Sequence, residues 1–471
     1  MPAMATDMGR VVSGVAAGEL RSGLRGAVLE PGDPGYDEAR RVWNGVIDRR
    51  PVLIARCQGP GDVAAAIRFG RDHDLPISVR GGGHGVSGSA VADGGLMIDL
   101  SAMDAVEVDR ETRVAVAGPG TLWSALDTAT QAAGLATTGG IVTHTGIAGL
   151  TLGGGIGWLM RKHGLTADNL LSVDLVTADG ELLHADEDEV PELFWAVRGG
   201  GGNFGVATSF RYRLHPVGPE VVAGPVFYPL EEGGRVLRAY RDLAAEAPDA
   251  LTTIVSLRRA PAVPLLPPEL HGRPVVGIMT CHAGPIDEGL EAVRPLRSLG
   301  TVLADLIGPK PYLENQSMLD PVVPHGWHYS WKSCEVPDLG DEVIDALVEG
   351  TERITSPRSY TLVFNLGGAV ARVGEDDTAY SHRAAGHNVN INAAWLGGDP
   401  DADRHVAWTR DVFRAVEPHA MGVYVNFLGD EGQDRVRVAY GPAKYDRLAA
   451  LKARYDPGNV FRLNQNIVPA R

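Results

Sequence analysis

Between Thr128 and Met160 the chain carries no Asp, Glu, Lys or Arg, and eight glycines fall between Gly139 and Gly157, interleaved with Thr143, His144, Thr145 and Thr151. Length and lack of charge alone would pass as a membrane span. Glycine at that density cannot hold a lipid-exposed helix, because each one leaves the backbone loose and contributes no side chain to packing. An uncharged backbone stripped of β-carbons is instead a surface on which a ligand can lie directly. The excess is not confined to this stretch, since 60 of the 471 residues are Gly, against a usual ~7%. Hydrophobic residues at 44% and charged residues at 22% remain ordinary, which excludes collagen-like and disordered chains.

The length corresponds to two or three domains. Lys and Arg number 43 against 59 Asp and Glu, a net charge of −16, and a field of that sign repels nucleic-acid backbones and anionic lipid surfaces. Cys57, Cys281 and Cys334 lie far apart, which argues against a disulfide framework or a thiolate metal site and suits a reducing cytoplasm. Met1 to Arg25 has no continuous apolar run, so no secretory signal is read there and a loosely held tail is expected.

From Pro51 to Leu100 the pattern predicts a strand over 52–55, a helix over 62–73, a strand over 77–80, a glycine loop and a strand over 95–99. A hairpin over 105–108 and 114–118 follows, then a helix from Thr121 with Leu122, Ala125, Leu126 and Ala129 on one face. Strands over 171–177 and 181–185 flank the turn Ala178-Asp179-Gly180. Past His215-Pro216 glycine thins out. Strands such as 275–281 then alternate with amphipathic helices over 235–247, 341–354 and 403–417. The aromatics Tyr228, Trp327, Tyr329, Trp331, Tyr360, Phe364 and Trp395 are expected mostly in the core. From Gly422 one more strand is expected, then a helix over 444–455 stopped by Asp456-Pro457-Gly458.

Arg80-Gly81-Gly82-Gly83-His84-Gly85-Val86-Ser87-Gly88 follows a predicted strand, and glycines 83, 85 and 88 have dinucleotide-fingerprint spacing. A Rossmann unit would start a helix inside the loop, whereas Ser89 to Gly95 is further turn-forming sequence that leads into a strand. What survives is that successive glycine N–H groups form an anion-binding nest suited to a pyrophosphate. His84 sits among those glycines with no Cys, Asp or Glu at metal-ligand spacing. His325, His328, His382 and His387 read as ordinary packing or surface histidines, and no metal site is expected. Neither a Gly-x-Ser-x-Gly elbow nor a phosphate-loop Gly-Lys-Ser/Thr is present, so hydrolysis lacks its motifs.

Five segments taken together resemble one family, the berberine bridge enzyme-like FAD-linked oxidases of the vanillyl-alcohol oxidase superfamily. They are Val79 to Gly88, Gly149-Leu-Thr-Leu-Gly-Gly-Gly-Ile-Gly157, Leu193-Phe-Trp-Ala-Val-Arg-Gly-Gly-Gly-Gly-Asn-Phe-Gly-Val206, Gly422-Val-Tyr-Val-Asn426 and Tyr455-Asp-Pro-Gly-Asn-Val-Phe-Arg-Leu-Asn-Gln-Asn466. The resemblance implies an α+β fold of two domains. An FAD-binding domain (1–215 and 421–471) would be split around a substrate domain (216–420) whose antiparallel sheet, flanked by helices, covers the flavin. It places FAD against Arg80, Gly81, Gly82, Gly83, His84, Gly85, Ser87 and Gly88. It adds Gly140, Val142, Thr145, Gly146, Gly149 and Gly153 of the glycine segment, then Asn203, Gly205, Val206, Tyr424, Asn464 and Asn466.

Family histidines at the position of His84 bond covalently to the flavin 8α-methyl group, which raises its potential. The second, cysteinyl link of many members is missing, because Val142 stands there. A single histidyl link makes the chain similar to the monocovalent bacterial branch, which includes 6-hydroxy-D-nicotine oxidase and polyketide-tailoring oxidases. Leu150 replaces a frequent family His. Thr145 matches the position that governs oxygen access, and Tyr424 matches a Tyr beside the isoalloxazine that can bond or deprotonate a substrate hydroxyl. The carboxylate that some members use as a base is matched only by Asn365, which cannot take a proton, so Tyr424, Tyr329, His328 or Lys332 would have to serve. The expected function is a cytoplasmic oxidase of specialised metabolism, a monomer or homodimer. It would transfer hydride from a small aromatic or polyketide-like substrate to flavin N5 and then reduce O2 to H2O2. An oxygenase of the same fold, a dehydrogenase with another electron acceptor and a non-catalytic sequestering flavoprotein are the alternatives.

Overall fold

Eight strands drawn from residues 220–395 make one antiparallel sheet. The computed structural model describes residues 14–264 and 266–471. Across the sheet the strands run Ala304–Asp305, Glu220–Pro229, Pro274–His282, Leu251–Arg259, Tyr360–Asn365, His387–Trp395 and His328–Val336, with Gly308–Pro311 also paired to Glu220–Pro229. Successive side chains of a strand point to opposite faces, and here each face has its own work. Val255, Leu257, Val276, Ile278, Val363, Val389 and Ile391 form one core with the helices Gly233–Ala245, Asp341–Glu352 and Ala402–Val416. The last of these buries His405, Trp408, Thr409, Val412, Phe413 and Val416, the spacing of a one-sided helix. The opposite face carries Ile254, Met279, Tyr360, Leu362 and Phe364, which meet residues 142–165 and Tyr424 in a separate core.

Two smaller sheets occupy the N-terminal half. In one, Leu53–Arg56 and Ile77–Arg80 each pair in parallel with Leu96–Asp99, and Val28–Leu29 adds an antiparallel edge. The other is antiparallel, in the order Val106–Asp109, Val114–Ala117, Val206–Arg213, Leu170–Val176, Leu182–Ala185. Its core takes in Tyr445, Leu448 and Leu451 of the helix Pro442–Tyr455 as well as Val423, Val425 and Ile467, so the end of the chain folds back onto the N-terminal half. The α+β expectation is met, and predicted strands and helices lie within a few residues of those observed.

Two expectations are corrected. The stretch expected as a loose tail is helical over Gly14–Gly23, with Ala17 and Leu20 buried beside the helix Pro60–Asp72; residues 1–13 lie outside the described residues. No strand follows Gly422 among the described residues. Gly422 makes a single bridge to Glu335, and Val425–Phe427 is one 3₁₀ turn because Tyr424 and Asn426 bend inward to hydrogen-bond each other. A helix over Gln433–Tyr440 was not anticipated. The three cysteines are free and buried. Among the described residues, no helix is long and apolar enough to cross a membrane and no cluster could hold a metal ion.

Candidate active site

The strand Ile77–Arg80 delivers the loop 81–88 to the edge of a cavity of about 850 Å³, near the upper end of the ~300–1,000 Å³ usual for ligand sites. Glycine is needed here for close approach. A β-carbon on Gly82 would lie 2.4 Å from the amide nitrogen of Gly146, and one on Gly146 equally close to that of Gly82, so the two segments touch backbone to backbone. Gly83 and Gly88 turn with φ of 65° and 69°, in the region that favours glycine.

His84 stacks on Trp43 at 4.4 Å, and Trp43 stacks in turn on Tyr329 at 3.8 Å. Trp43 is fixed by donating from Nε1 to the Val323 carbonyl, and Asn44 beside it bonds the backbone of Val86 and Tyr329. His84 Nε2 lies 3.2 Å from His144 Nδ1, and the His325 ring is 4.7 Å from that of His144. Burial, and then the neighbouring His144, pushes His84 well below the ordinary imidazole range. Burial likewise lowers His144, and lowers His325 to about 4. All three rings are therefore neutral at pH 7. A neutral His84 keeps a lone pair available as a nucleophile.

Beyond the loop, the groove is walled by Gly140, Val142, Thr145, Gly146 and Gly149 on one side and by Asn203, Gly205, Val206 and Asn464 on another. Asn203 donates to the carbonyls of Gly200 and Gln465 and accepts from the Ile467 N–H, pinning the terminal segment so that Asn464 faces the cavity with a buried, unpartnered Oδ1. Tyr424 lies where the groove meets the large sheet. Its phenolic oxygen accepts from the Gly155 N–H at 2.9 Å and from Asn426 Nδ2 at 2.7 Å, which leaves its own proton to be donated elsewhere. Burial raises Tyr424 to about 12, so it is a donor rather than a phenolate at neutral pH.

Most residues expected at the site are gathered here. Gly81, Gly82, Gly83, His84, Gly85 and Ser87 line the cavity, as do Thr145 and Tyr424. Arg80, Gly88, Gly153 and Asn466 do not. Arg80 donates to the Ala39 carbonyl, Gly88 packs on Ile47, and Gly153 abuts the Asn426 side chain. Two expected catalytic positions are corrected. Asn365 has the parity of Val363, which faces the helices, and it accepts from Arg161. Tyr329 lies under Trp43 and donates to the Pro324 carbonyl. Lys332 is ion-paired with Glu431 on the helix side, so it is no base either.

Residues passed over in the sequence complete the wall. Arg258, Trp331, Tyr360, Phe364 and Asn390 all line the cavity, so part of the aromatic set expected in the core forms its lining. Asn388, Asn390 and Asn392 share one face of their strand, and each retains an unpartnered side-chain atom. Beside them Glu335 is fully buried, accepts from Tyr380 at 2.8 Å, and is pushed by burial up to about 8. Period-two alternation through Asn388-Val-Asn390-Ile-Asn392 was the available signal. His325 is exposed, as expected of a surface histidine, and its ring packs against those of His84 and His144.

A glycine-walled groove that opens onto an aromatic sheet face, with no carboxylate among the described residues of its lining to repel a pyrophosphate, fits a flavin dinucleotide. The FAD binding domain family matches residues 51–186, and the berberine and berberine like family matches 423–468. The chain is 32% identical to (R)-6-hydroxynicotine oxidase of Paenarthrobacter nicotinovorans, over 95% of this chain and 97% of that one. It is 31% identical to an FAD-linked oxidoreductase of Dictyostelium discoideum over 96% of each. The crystal structure of 6-hydroxy-D-nicotine oxidase from Arthrobacter nicotinovorans superposes with a TM-score of 0.86 at 30% identity, covering 95% of this chain and 98% of that one. The chain belongs to the berberine bridge enzyme-like family of FAD-linked oxidoreductases. It has their vanillyl-alcohol oxidase-type α+β fold and binds FAD.

Proposed function

We propose that the protein is an oxidase of a small aromatic or polyketide-like molecule of specialised metabolism, and that FAD is held by one covalent link from His84. The observation that carries this reading is the continuity of the cavity, which joins the glycine groove to the aromatic sheet face with Tyr424 and Thr145 at the junction. When bound, FAD would supply a hydride acceptor and a route for the electrons to O2, giving H2O2. The protein's residues do the rest. Trp331, Tyr360 and Phe364 exclude water and hold a flat ring. The Tyr424 proton is directed at a substrate oxygen or nitrogen, because both other sites on its oxygen are taken. His84, neutral and stacked on Trp43, supplies the attachment point. Val142 fills the place of a second link. Thr145 lines the cavity with a side chain smaller than the Leu or Ile that would obstruct oxygen there.

Steady peroxide release in air, with the cofactor bleached by the same substrate under nitrogen, is the expected result. Rapid anaerobic bleaching with slow reoxidation in air would identify a dehydrogenase. Tight binding without bleaching would identify a sequestering protein.

A further inference from the structure

We propose that Arg258 makes the far end of the cavity an anion site, so that the molecule oxidised here carries a carboxylate or an equally ionised oxygen. This deepens, and rests on, the oxidase reading of the same cavity.

Arg258 is 7% exposed, and a buried cation is ordinarily matched by a carboxylate because the unpaired charge is costly. Among the described residues no carboxylate meets it. Its Nε donates to the neighbouring Arg259 carbonyl at 3.3 Å, and its guanidinium lies 5.1 Å from the centre of the Tyr360 ring. Among the described residues the two terminal amino groups have no acceptor, and Arg258 lines the cavity, whose described lining includes no Asp, Glu or Lys. A guanidinium stays charged at any physiological pH and offers its parallel N–H pair to a carboxylate.

The site is separate from the groove assigned to the cofactor. Arg258 pairs across the sheet with Tyr360, Tyr360 with Asn392, and Asn392 with Trp331. Trp331 contacts Trp43, on which His84 stacks. Three strand steps of ~4.8 Å therefore put Arg258 roughly 14 Å along the sheet from Trp331, which stands against the Trp43–His84 stack. Around Arg258 the lining is Phe227, Pro261, Val263 and Leu266, with none of the glycine N–H groups that suit a pyrophosphate. An apolar pocket closed by one unpaired cation fits an aromatic acid lying across Tyr360.

The test uses the purified holoprotein with 2-naphthoate and its neutral isostere 2-naphthamide, followed by calorimetry and by the change in flavin absorbance. The wild type is expected to hold the acid roughly ten- to a hundredfold more tightly than the amide, the range of a charge-assisted bidentate bond. Arg258→Gln should abolish that preference at unchanged flavin content, and Arg258→Lys should keep part of it. Equal affinity for acid and amide, or no binding of either at millimolar concentration, overturns the proposal. Loss of flavin from Arg258→Gln also overturns it, by assigning the cation to the cofactor. The wild-type comparison decides the matter even where a variant fails to fold. Binding needs no turnover, and 2-naphthoate offers no carbon–hydrogen bond that could yield a hydride, so the acid preference is decided independently of the oxidase reading, which fails separately if no oxidisable substrate bleaches the flavin.

Discussion

His84 Nε2 stands 3.2 Å from Nδ1 of His144, and burial holds both rings in the neutral form. In a neutral pair one nitrogen donates and the other accepts. An imidazole that becomes bonded to carbon must give up a proton, and His144 is placed to take it from His84. Replacing His84 by Ala should leave FAD that is released by acid, whereas the wild-type band should fluoresce on a denaturing gel. His144→Leu should still bind FAD but acquire the gel fluorescence more slowly when apoprotein is mixed with FAD. An unchanged rate would mean that the His144 contact is only packing.

Tyr424 holds its place through two donors, so removing its oxygen has two separable effects. Tyr424→Phe takes away the proton aimed at the substrate, and kcat/KM should fall about ten- to a thousandfold. It also strands the buried Gly155 N–H, at a cost of about 1–3 kcal/mol of stability, and leaves Asn426 Nδ2 only the Leu150 carbonyl as acceptor. Flavin content from the absorbance ratio should not change. Full activity in the variant would remove Tyr424 from the reaction.

Much of this site was legible because its backbone requirements are written in residue type. Only Gly permits the Gly82 to Gly146 contact, and such positions announce themselves in a sequence. The sheet face was harder. Asn365 looked like a match for a family base, yet one residue of register puts it beside Arg161 on the opposite face. Arg258 stands next to Arg259 in Leu257-Arg-Arg, and nothing local says which of two adjacent arginines is 7% exposed and which is at the rim. Cross-strand pairing decides that, and it involves residues a hundred positions apart.

Glu335 gives the protein a pH signature. Its carboxyl is raised to about 8 by burial from an ordinary value of 4.5, so between those values the folded state binds a proton that the unfolded state has lost. Stability contributed by this group is therefore greatest below pH 4.5 and declines as pH rises toward 8, with a slope of up to about 1.4 kcal/mol per pH unit. Asp127, raised to about 7 by burial, acts in the same direction. Glu335→Gln should flatten the decline seen in urea unfolding between pH 5 and 8, leaving the part due to Asp127. A variant as pH-sensitive as the wild type would show that Glu335 titrates normally.

The end of the chain reaches the cavity through a buried ion pair, and that dependence can be measured. Lys452 and Asp456 are both fully buried and lie 2.8 Å apart. The ammonium also donates to the carbonyls of Asn203 and Phe461, and the carboxylate accepts the N–H groups of Val460 and Phe461. Every partner is satisfied, so deleting one ion leaves the other charged and uncompensated in a dry site. Lys452→Met should cost about 3–5 kcal/mol in urea unfolding. The double variant Lys452→Met with Asp456→Asn should recover part of that, because it buries no charge. Since Lys452 grips the carbonyl of the same Asn203 that holds Gln465 and Ile467, the single variant should also lose flavin at denaturant concentrations where the wild type keeps it. Equal losses in the single and double variants would show that the hydrogen bonds to Asn203 and Phe461, and not the pairing of charges, carry the stability.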